Sequence, residues 1–171
     1  MSINQRKVMK GNIMIELFFS DTTEILYLMR AALQLNTYEA ALALLQTTSL
    51  PSSCYYTIGG SYDKGGCVLE RNPGSVHAQY CLNATTWFLV QTNYDRDLPD
   101  PPNDYRRVPV EQRITANGQQ NMSASYLLNQ VLYVSPSLQP ASSNSRTITS
   151  LVAENRNPVG ENTWNMTIWN N

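Results

Sequence analysis

The spacing of apolar residues changes at Pro51, and this change restricts the fold to a mixed class. Before Pro51, two capping-box patterns, Asp21-Thr22-Thr23-Glu24 and Asn36-Thr37-Tyr38-Glu39, each precede apolar residues at helical spacing. They predict two consecutive helices within residues 21–48, because a proline limits the helical region on its C-terminal side.

After Pro51 apolar and polar residues alternate, which is typical of antiparallel strands. Glycine pairs and an Asn-Pro-Gly turn separate the alternating stretches. The predicted strands are Cys54–Ile58, Cys67–Glu70, Val76–Tyr80 and Thr86–Thr92. Helices followed by antiparallel strands predict a layered α+β fold.

The second half of the chain predicts a loop, one more helix and two last strands. The loop is Asp97–Asp104, the helix runs from Ser123 or Ser125 to about Val134, and the strands are Thr147–Ala153 and Thr163–Trp169. A length of 171 residues fits one domain or a large part of one, and residues 21–171 carry its predicted elements. Residues 1–20 form an atypical N-terminal segment.

Charge and metal-ligand content exclude several classes of protein. Among 171 residues, Lys and Arg total 12 and Asp and Glu total 13, giving a formal net charge of −1. Such a balance gives no electrostatic basis for binding nucleic acid or an anionic membrane surface. The single His and the three cysteines, Cys54, Cys67 and Cys81, lack the paired spacing of a zinc site. We therefore expect neither metal nor cofactor, and the pairing of the cysteines stays open.

Three glycosylation sequons favour a secreted or lumenal glycoprotein. They are Asn83-Ala84-Thr85, Asn121-Met122-Ser123 and Asn165-Met166-Thr167. The N-terminus does not read as a signal peptide, because Glu16 interrupts its apolar stretch. The expectation is that Met1 is not the natural start of the protein.

A dense polar cluster follows the last strand predicted in the first half. Asn93 comes directly after Thr86–Thr92, and Arg106 follows the proline-rich loop. A neutral amide donor and a permanent positive charge are what stabilisation of an oxyanion requires. The alternative is a solvated loop held by salt bridges. The single His77 is more typical of a structural residue than of a catalytic one.

These motifs resemble the C-terminal half of the acid ceramidase and N-acylethanolamine acid amidase family, relatives of the choloylglycine hydrolases. The residues that carry the resemblance are Tyr55-Tyr56-Thr57-Ile58-Gly59-Gly60, Gly66-Cys67-Val68-Leu69, Val90-Gln91-Thr92-Asn93-Tyr94-Asp95-Arg96 and Asp104-Tyr105-Arg106-Arg107. The resemblance implies an N-terminal-nucleophile hydrolase with an αββα sandwich, of which residues 21–171 would be the C-terminal part of the large subunit. It further implies that Asn93 is the oxyanion-hole residue and Arg106 an active-site arginine.

The resemblance does not supply a nucleophile, because the family's N-terminal Cys precedes these motifs by more residues than the chain has. We therefore expect a fragment that is inactive alone and that needs the N-terminal part of the large subunit and a small subunit. The substrate class implied is a lipid amide. Ceramide ranks first and an N-acylethanolamine second, and the remaining alternative is a non-catalytic, truncated paralogue.

Overall fold

The computed structural model describes residues 1–6, 23–60, 65–102, 105–132, 149–155 and 164–170. Side chains are described for these residues except in 2–5, 132 and the last two ranges. The chain forms two compact units, Met1–Leu98 and Pro99–Asn171. No helix among the described residues is long and apolar enough to cross a membrane.

The first unit is a four-stranded antiparallel sheet with two helices. Its elements in chain order are β1 (Ser2–Gln5), α1 (Ile25–Leu33), α2 (Tyr38–Thr47), β2 (Cys54–Gly59), β3 (Gly66–Arg71) and β4 (Val76–Cys81). The strands lie side by side in the order β1-β2-β3-β4. Strands β2, β3 and β4 confirm the predicted Cys54–Ile58, Cys67–Glu70 and Val76–Tyr80.

Alternation along β2 and β3 gives the sheet two different buried faces. On one face, apolar side chains pack against α1 and α2 in a single core: Leu28, Ala32, Ala41, Leu45, Leu50, Cys54, Tyr56, Ile58, Cys67 and Leu69. The residues between them, Tyr55, Val68 and Glu70, belong to the opposite face and are also buried. A buried glutamate in that position indicates polar partners on the second face.

Both helices of the first unit begin later than the capping boxes suggest. The N-cap of α1 is Glu24, whose carboxylate accepts a hydrogen bond from the N–H of Tyr27 at 2.8 Å. The N-cap of α2 is Thr37, whose hydroxyl accepts from the N–H of Ala40 at 3.1 Å. Thr37 takes the role predicted for Asn36 because its extended backbone directs the side chain at the first turn.

The predicted strand Thr86–Thr92 is wrong. All seven residues are described, and none of them pairs with a strand in the described part of the chain. The carbonyl of Val90 accepts instead from the guanidinium of Arg96, and that of Thr92 accepts from the side chain of Gln91. Side-chain donors thus take the place of ladder hydrogen bonds.

The second unit contains a helix that the sequence analysis missed, α3 (Arg107–Asn117), which buries Val110 and Ile114. After a 3₁₀ turn, Gln119–Asn121, the hydroxyl of Ser123 caps the short α4 (Ala124–Tyr126), which continues as a π-helix, Leu127–Leu132. This confirms the helix predicted from Ser123 as far as residue 132, and its predicted end lies outside the described residues.

The last two strands are β5 (Thr149–Asn155) and β6 (Trp164–Asn170), which pair antiparallel and confirm the predicted pair with small shifts in their ends. The predicted loop after Asp97 is confirmed for residues 97–102, while 103 and 104 lie outside the described part. The molecule therefore has the predicted α+β class. Residues 2–5 of the N-terminal segment belong to the main sheet, where they pair with β2.

Candidate functional site

Asn93 lies in a bend of the first unit, within a segment that we define as residues 90–96 and call the Asn93 segment. The sequence placed this residue at the end of a strand, which is wrong because Thr86–Thr92 forms none. Asn93 is half-buried, between the buried residues Thr92 and Asp95. The bend is therefore held by side chains and not by a sheet.

Asp95 fastens this segment to the second face of the sheet. Its carboxylate accepts hydrogen bonds from Nε and Nη2 of Arg6, both at 2.5 Å, and from the hydroxyl of Tyr55 at 2.8 Å. The Nη1 group of Arg6 also donates to Oδ1 of Asn72 at 2.5 Å. Paired nitrogen–oxygen bonds between a guanidinium and a carboxylate are strong and fix orientation as well as distance.

The ion pair determines the charge state of Asp95. Burial by itself raises the pKa of Asp95, but hydrogen bonds from Arg6 and Tyr55 and the charge of Arg6 outweigh it and hold the pKa below its usual range. Burial, together with the same carboxylate, raises the pKa of Tyr55 far above that of an exposed phenol. Asp95 is therefore an ionised anchor, with Tyr55 as a neutral donor.

Glu70 supports the same segment from β3. Its Oε1 accepts a hydrogen bond from the backbone N–H of Arg96 at 2.8 Å, while Oε2 is buried with no partner among the described residues. Burial is the main reason why the pKa of Glu70 is raised; the bond from Arg96 opposes this, and the nearby charge of Asp95 adds to it. The guanidinium of Arg96 lies 5.3 Å from the centre of the Tyr80 ring.

A shift in strand register brings His77 to this cluster. The pairing of β3 with β4 slips by one residue between Glu70 and Arg71, so that His77 has no residue opposite it. Nε2 of His77 lies 3.9 Å from Oδ2 of Asp95. The ligand atoms of Glu70, His77, Asp95 and Asp97 lie within 4.8 Å of one another. These atoms lie close enough together to bind a cation. Arg6 already neutralises Asp95, however, and a structural role accounts for these four residues.

Arg106 lies in the second unit, at the N-cap position of α3. Asp100 fixes this end of the helix, since its Oδ2 accepts from the N–H of Arg107 at 2.6 Å. The Arg107 guanidinium also pairs with Oδ1 of Asp100 at 3.2 Å, and both side chains are buried. The helix start thus holds Arg107 in a structural ion pair and places the half-buried Arg106 just before it.

None of the three cysteines of the chain is an activated thiol. Cys67 and Cys81 face each other across β3 and β4 and form a disulfide. Cys54 is free and buried in the core, and burial raises the pKa of its thiol to about 11. Because the thiolate is the nucleophilic form, Cys54 is suited to packing and not to attack on a carbonyl.

Comparisons with known proteins agree with these motifs. The chain is 36% identical over 126 residues to N-acylethanolamine-hydrolyzing acid amidase of Cavia porcellus, which covers 72% of the chain and 35% of that protein. It is 35% identical over 106 residues to acid ceramidase of Homo sapiens, covering 60% of the chain and 27% of that protein. The chain belongs to the acid ceramidase and N-acylethanolamine acid amidase family. No protein-family model matches the sequence.

The fold supports the membership in this family. The structure superposes on that of a Caenorhabditis elegans ortholog of N-acylethanolamine-hydrolyzing acid amidase with a TM-score of 0.66 and 28% identity, covering 86% of this chain and 62% of that one. This match supports the predicted partial αββα sandwich. The chain spans about a third of the length of the curated family members that it matches.

The sequence identified Asn93 and Arg106 but missed the residues that hold the Asn93 segment. Arg6 reaches it from the residue after β1, Tyr55 from β2 and Glu70 from β3. One signal in the sequence could have identified Glu70. It is a charged residue at a strand position where the pattern predicts burial. Such a glutamate requires a partner, and the partner is what the sequence alone could not name.

Proposed function

We propose that the whole protein of which this chain is a part hydrolyses a fatty N-acyl amide, with Asn93 as a donor to the oxyanion. The observation that carries the proposal is the double anchoring of the Asn93 segment to the sheet, through Asp95 and through the N–H of Arg96. A donor held in advance stabilises the charge that develops on a carbonyl oxygen without reorganising during the reaction. The family likeness supplies the reaction class.

The proposed chemistry divides between the two candidate residues. When a nucleophile adds to the amide carbonyl, the carbonyl oxygen becomes an oxyanion, to which the side-chain N–H of Asn93 donates a hydrogen bond. Arg106 is proposed as an active-site arginine on the family resemblance alone, since its guanidinium is a permanent positive charge. The nucleophile comes from another part of the protein, because Cys54, Cys67 and Cys81 are unsuited to the role.

An N-acylethanolamine is the first substrate that we propose. The N-acylethanolamine-hydrolyzing amidases are 36–38% identical to the chain, and the acid ceramidases 32–35%. Ceramide, which the sequence motifs alone rank first, is the second candidate. A non-catalytic relative is the remaining alternative.

Hydrolysis by the purified whole protein separates these candidates. N-palmitoylethanolamine and N-palmitoylsphingosine are supplied in matched detergent micelles, and released palmitate is measured. We expect kcat/KM for the ethanolamide to exceed that for the ceramide. The opposite ratio would reassign the substrate to ceramide, and absence of palmitate from both would favour the non-catalytic alternative.

We also propose an oxidising compartment, lysosomal or secreted. The disulfide between Cys67 and Cys81 is stable in such a compartment and rare in the cytosol. Asn83 of the first sequon is exposed, and its side-chain oxygen accepts bonds from the N–H and hydroxyl of Thr85 and the N–H of Thr86. In secretory expression we expect glycosidase treatment to shift the mass of the protein, and Asn83→Gln to reduce the shift by one glycan.

A further inference from the structure

Gln91 joins the two carbonyl groups that lie on either side of Asn93. Its side-chain Nε2 donates to the carbonyl oxygen of Thr92 at 3.2 Å and to that of Tyr94 at 3.0 Å. One side chain thereby links the residue before Asn93 to the residue after it. These bonds span three successive residues that no strand pairing holds.

These two bonds constrain the backbone of Asn93 directly. The carbonyl of Thr92 and the N–H of Asn93 belong to one planar peptide group, so a bond to the oxygen orients the whole plane. The carbonyl of Tyr94 lies in the peptide plane that leads to the anchored Asp95. The first plane contains the N–H of Asn93 itself and the second begins at the next residue, so the two bonds together restrict the backbone dihedrals of Asn93 and Tyr94.

The other contacts of the segment act on different atoms. Asp95 and the N–H of Arg96 attach the downstream end to the sheet, and the Arg96 guanidinium holds the carbonyl of Val90 upstream. Among the described contacts, Gln91 is the one that bridges the carbonyls flanking Asn93. Its Oε1 is buried with no partner in the described residues. A buried orphan acceptor costs stability, which the two donor bonds must offset.

We propose that Gln91 is the positioning residue of Asn93: its amide donor holds the bend in the conformation that directs the Asn93 side chain at the oxyanion. This inference rests on the proposed function, since it assigns Gln91 a role in the same site. It also has a structural consequence, a rigid bend, that is independent of activity.

Two variants of the whole protein test the donor. Gln91→Leu removes the donor at every pH. Gln91→Glu keeps the shape but, when ionised, places a carboxylate against two carbonyl oxygens; when protonated, it can again donate one bond. Gln46→Leu is the control, since Gln46 also donates from Nε2, to Gln79 on an exposed surface.

We expect kcat to fall roughly 10- to 100-fold in Gln91→Leu, with KM changed less than about threefold, because misplacement affects the transition state most. Each variant is compared with the parent protein at the same pH. The relative kcat of Gln91→Glu should rise as the pH falls, whereas that of Gln91→Leu should stay flat. A Gln91→Leu kcat within twofold of the parent, or equal pH profiles of the two variants, would overturn the inference.

Hydrogen–deuterium exchange separates failure of this inference from failure of the proposed function. We expect Gln91→Leu to accelerate exchange of the amides of Asn93 and Asp95 and to leave β2 unchanged. Accelerated exchange in a protein that hydrolyses neither amide would support the structural role and refute the proposed function. Unchanged exchange in a protein that does hydrolyse them would refute the role of Gln91 alone.

Discussion

Asp95 is fixed by bonds from a strand and from the residue that follows another strand, and it lies two positions after Asn93. The Arg6 and Asp95 side chains are 2% and 3% exposed, so water screens their interaction very little. A buried pair of this kind need not add stability compared with an apolar pair, but loss of one partner leaves the other charge buried alone. Its main effect is to define where the Asn93 segment lies.

Substitution of Asp95 therefore tests the anchor. Asp95→Asn should lower the free energy of unfolding by about 3 kcal/mol, because Arg6 loses its counter-charge. Adding Arg6→Met should recover part of this loss by removing the uncompensated charge. Denaturant titration of the folded protein measures both. Asp97→Asn, on an exposed neighbour, is the control, and an equal loss in that variant would contradict the anchor.

The pKa of Glu70 is raised, whereas that of Asp95 is lowered, and this predicts how the stability depends on pH. Its pKa is raised in the folded state, mainly by burial, so its contribution to stability is present below the ordinary pKa of a glutamate and is lost as the pH rises through the raised value. Glu70→Gln keeps an acceptor for the N–H of Arg96 and removes the charge. Its unfolding free energy relative to the parent should increase as the pH rises, in denaturant titrations from acid to neutral pH. Parallel curves would contradict this interpretation of Glu70.

At the scale of elements, the start of α2 shows how a correct pattern can be placed one residue too early. The box beginning at Asn36 contains two residues that can cap a helix, and the structure uses Thr37. Propensity cannot choose between neighbouring candidates, because the choice depends on which residue has the extended backbone. In the structure that residue is Thr37, and the helix that follows buries Ala41 and Leu45 in the core.

The two neighbours can be compared by substitution. Thr37→Ala should destabilise the protein by about 1 kcal/mol, since the N–H of Ala40 loses its acceptor. Asn36→Ala, in the adjacent exposed position, should change stability by less than about 0.5 kcal/mol. Thermal unfolding of both variants provides the measurement. A larger loss in Asn36→Ala would mean that α2 is capped one residue earlier.

Strands were predictable where alternating apolar residues lie between turn residues. They were not predictable where strand formation depends on a partner that is distant in the sequence. The stretch Thr86–Thr92 has a strand-like composition but pairs with no strand in the described chain, and the carbonyls of Val90 and Thr92 bind side chains. Conversely, β1 exists because it pairs with β2 across a long separation in sequence.

Helix α3 was missed because Pro109 and buried Arg107 obscure its short apolar stripe. Pro109 is tolerated in the first turn, where its missing N–H is not needed.

The candidate site follows the same division. Asn93 and Arg106 could be named because they belong to long motifs in the sequence. The partners that hold the Asn93 segment, Arg6 and Tyr55 on Asp95, are brought together by strand register. Since register is a property of the folded sheet, no local pattern reveals these contacts.

At the scale of the whole molecule, the described chain exposes apolar surface on α1. Leu26, Tyr27 and Leu33 are 57%, 66% and 62% exposed, although the same helix buries Leu28 and Ala32 in the core. The chain also spans about a third of the length of its curated relatives. Activity is therefore a property to be measured on the whole protein.

Steady-state kinetics of Asn93→Ala in the folded whole protein test the central claim most directly. If Asn93 donates to the oxyanion, kcat for the better amide substrate falls about 100- to 1,000-fold while KM changes little, because the bond matters most in the transition state. The unfolding midpoint should stay near that of the parent, and Asn36→Ala should keep full activity. A folded Asn93→Ala protein with a near-normal kcat would show that Asn93 is only a residue of the bend.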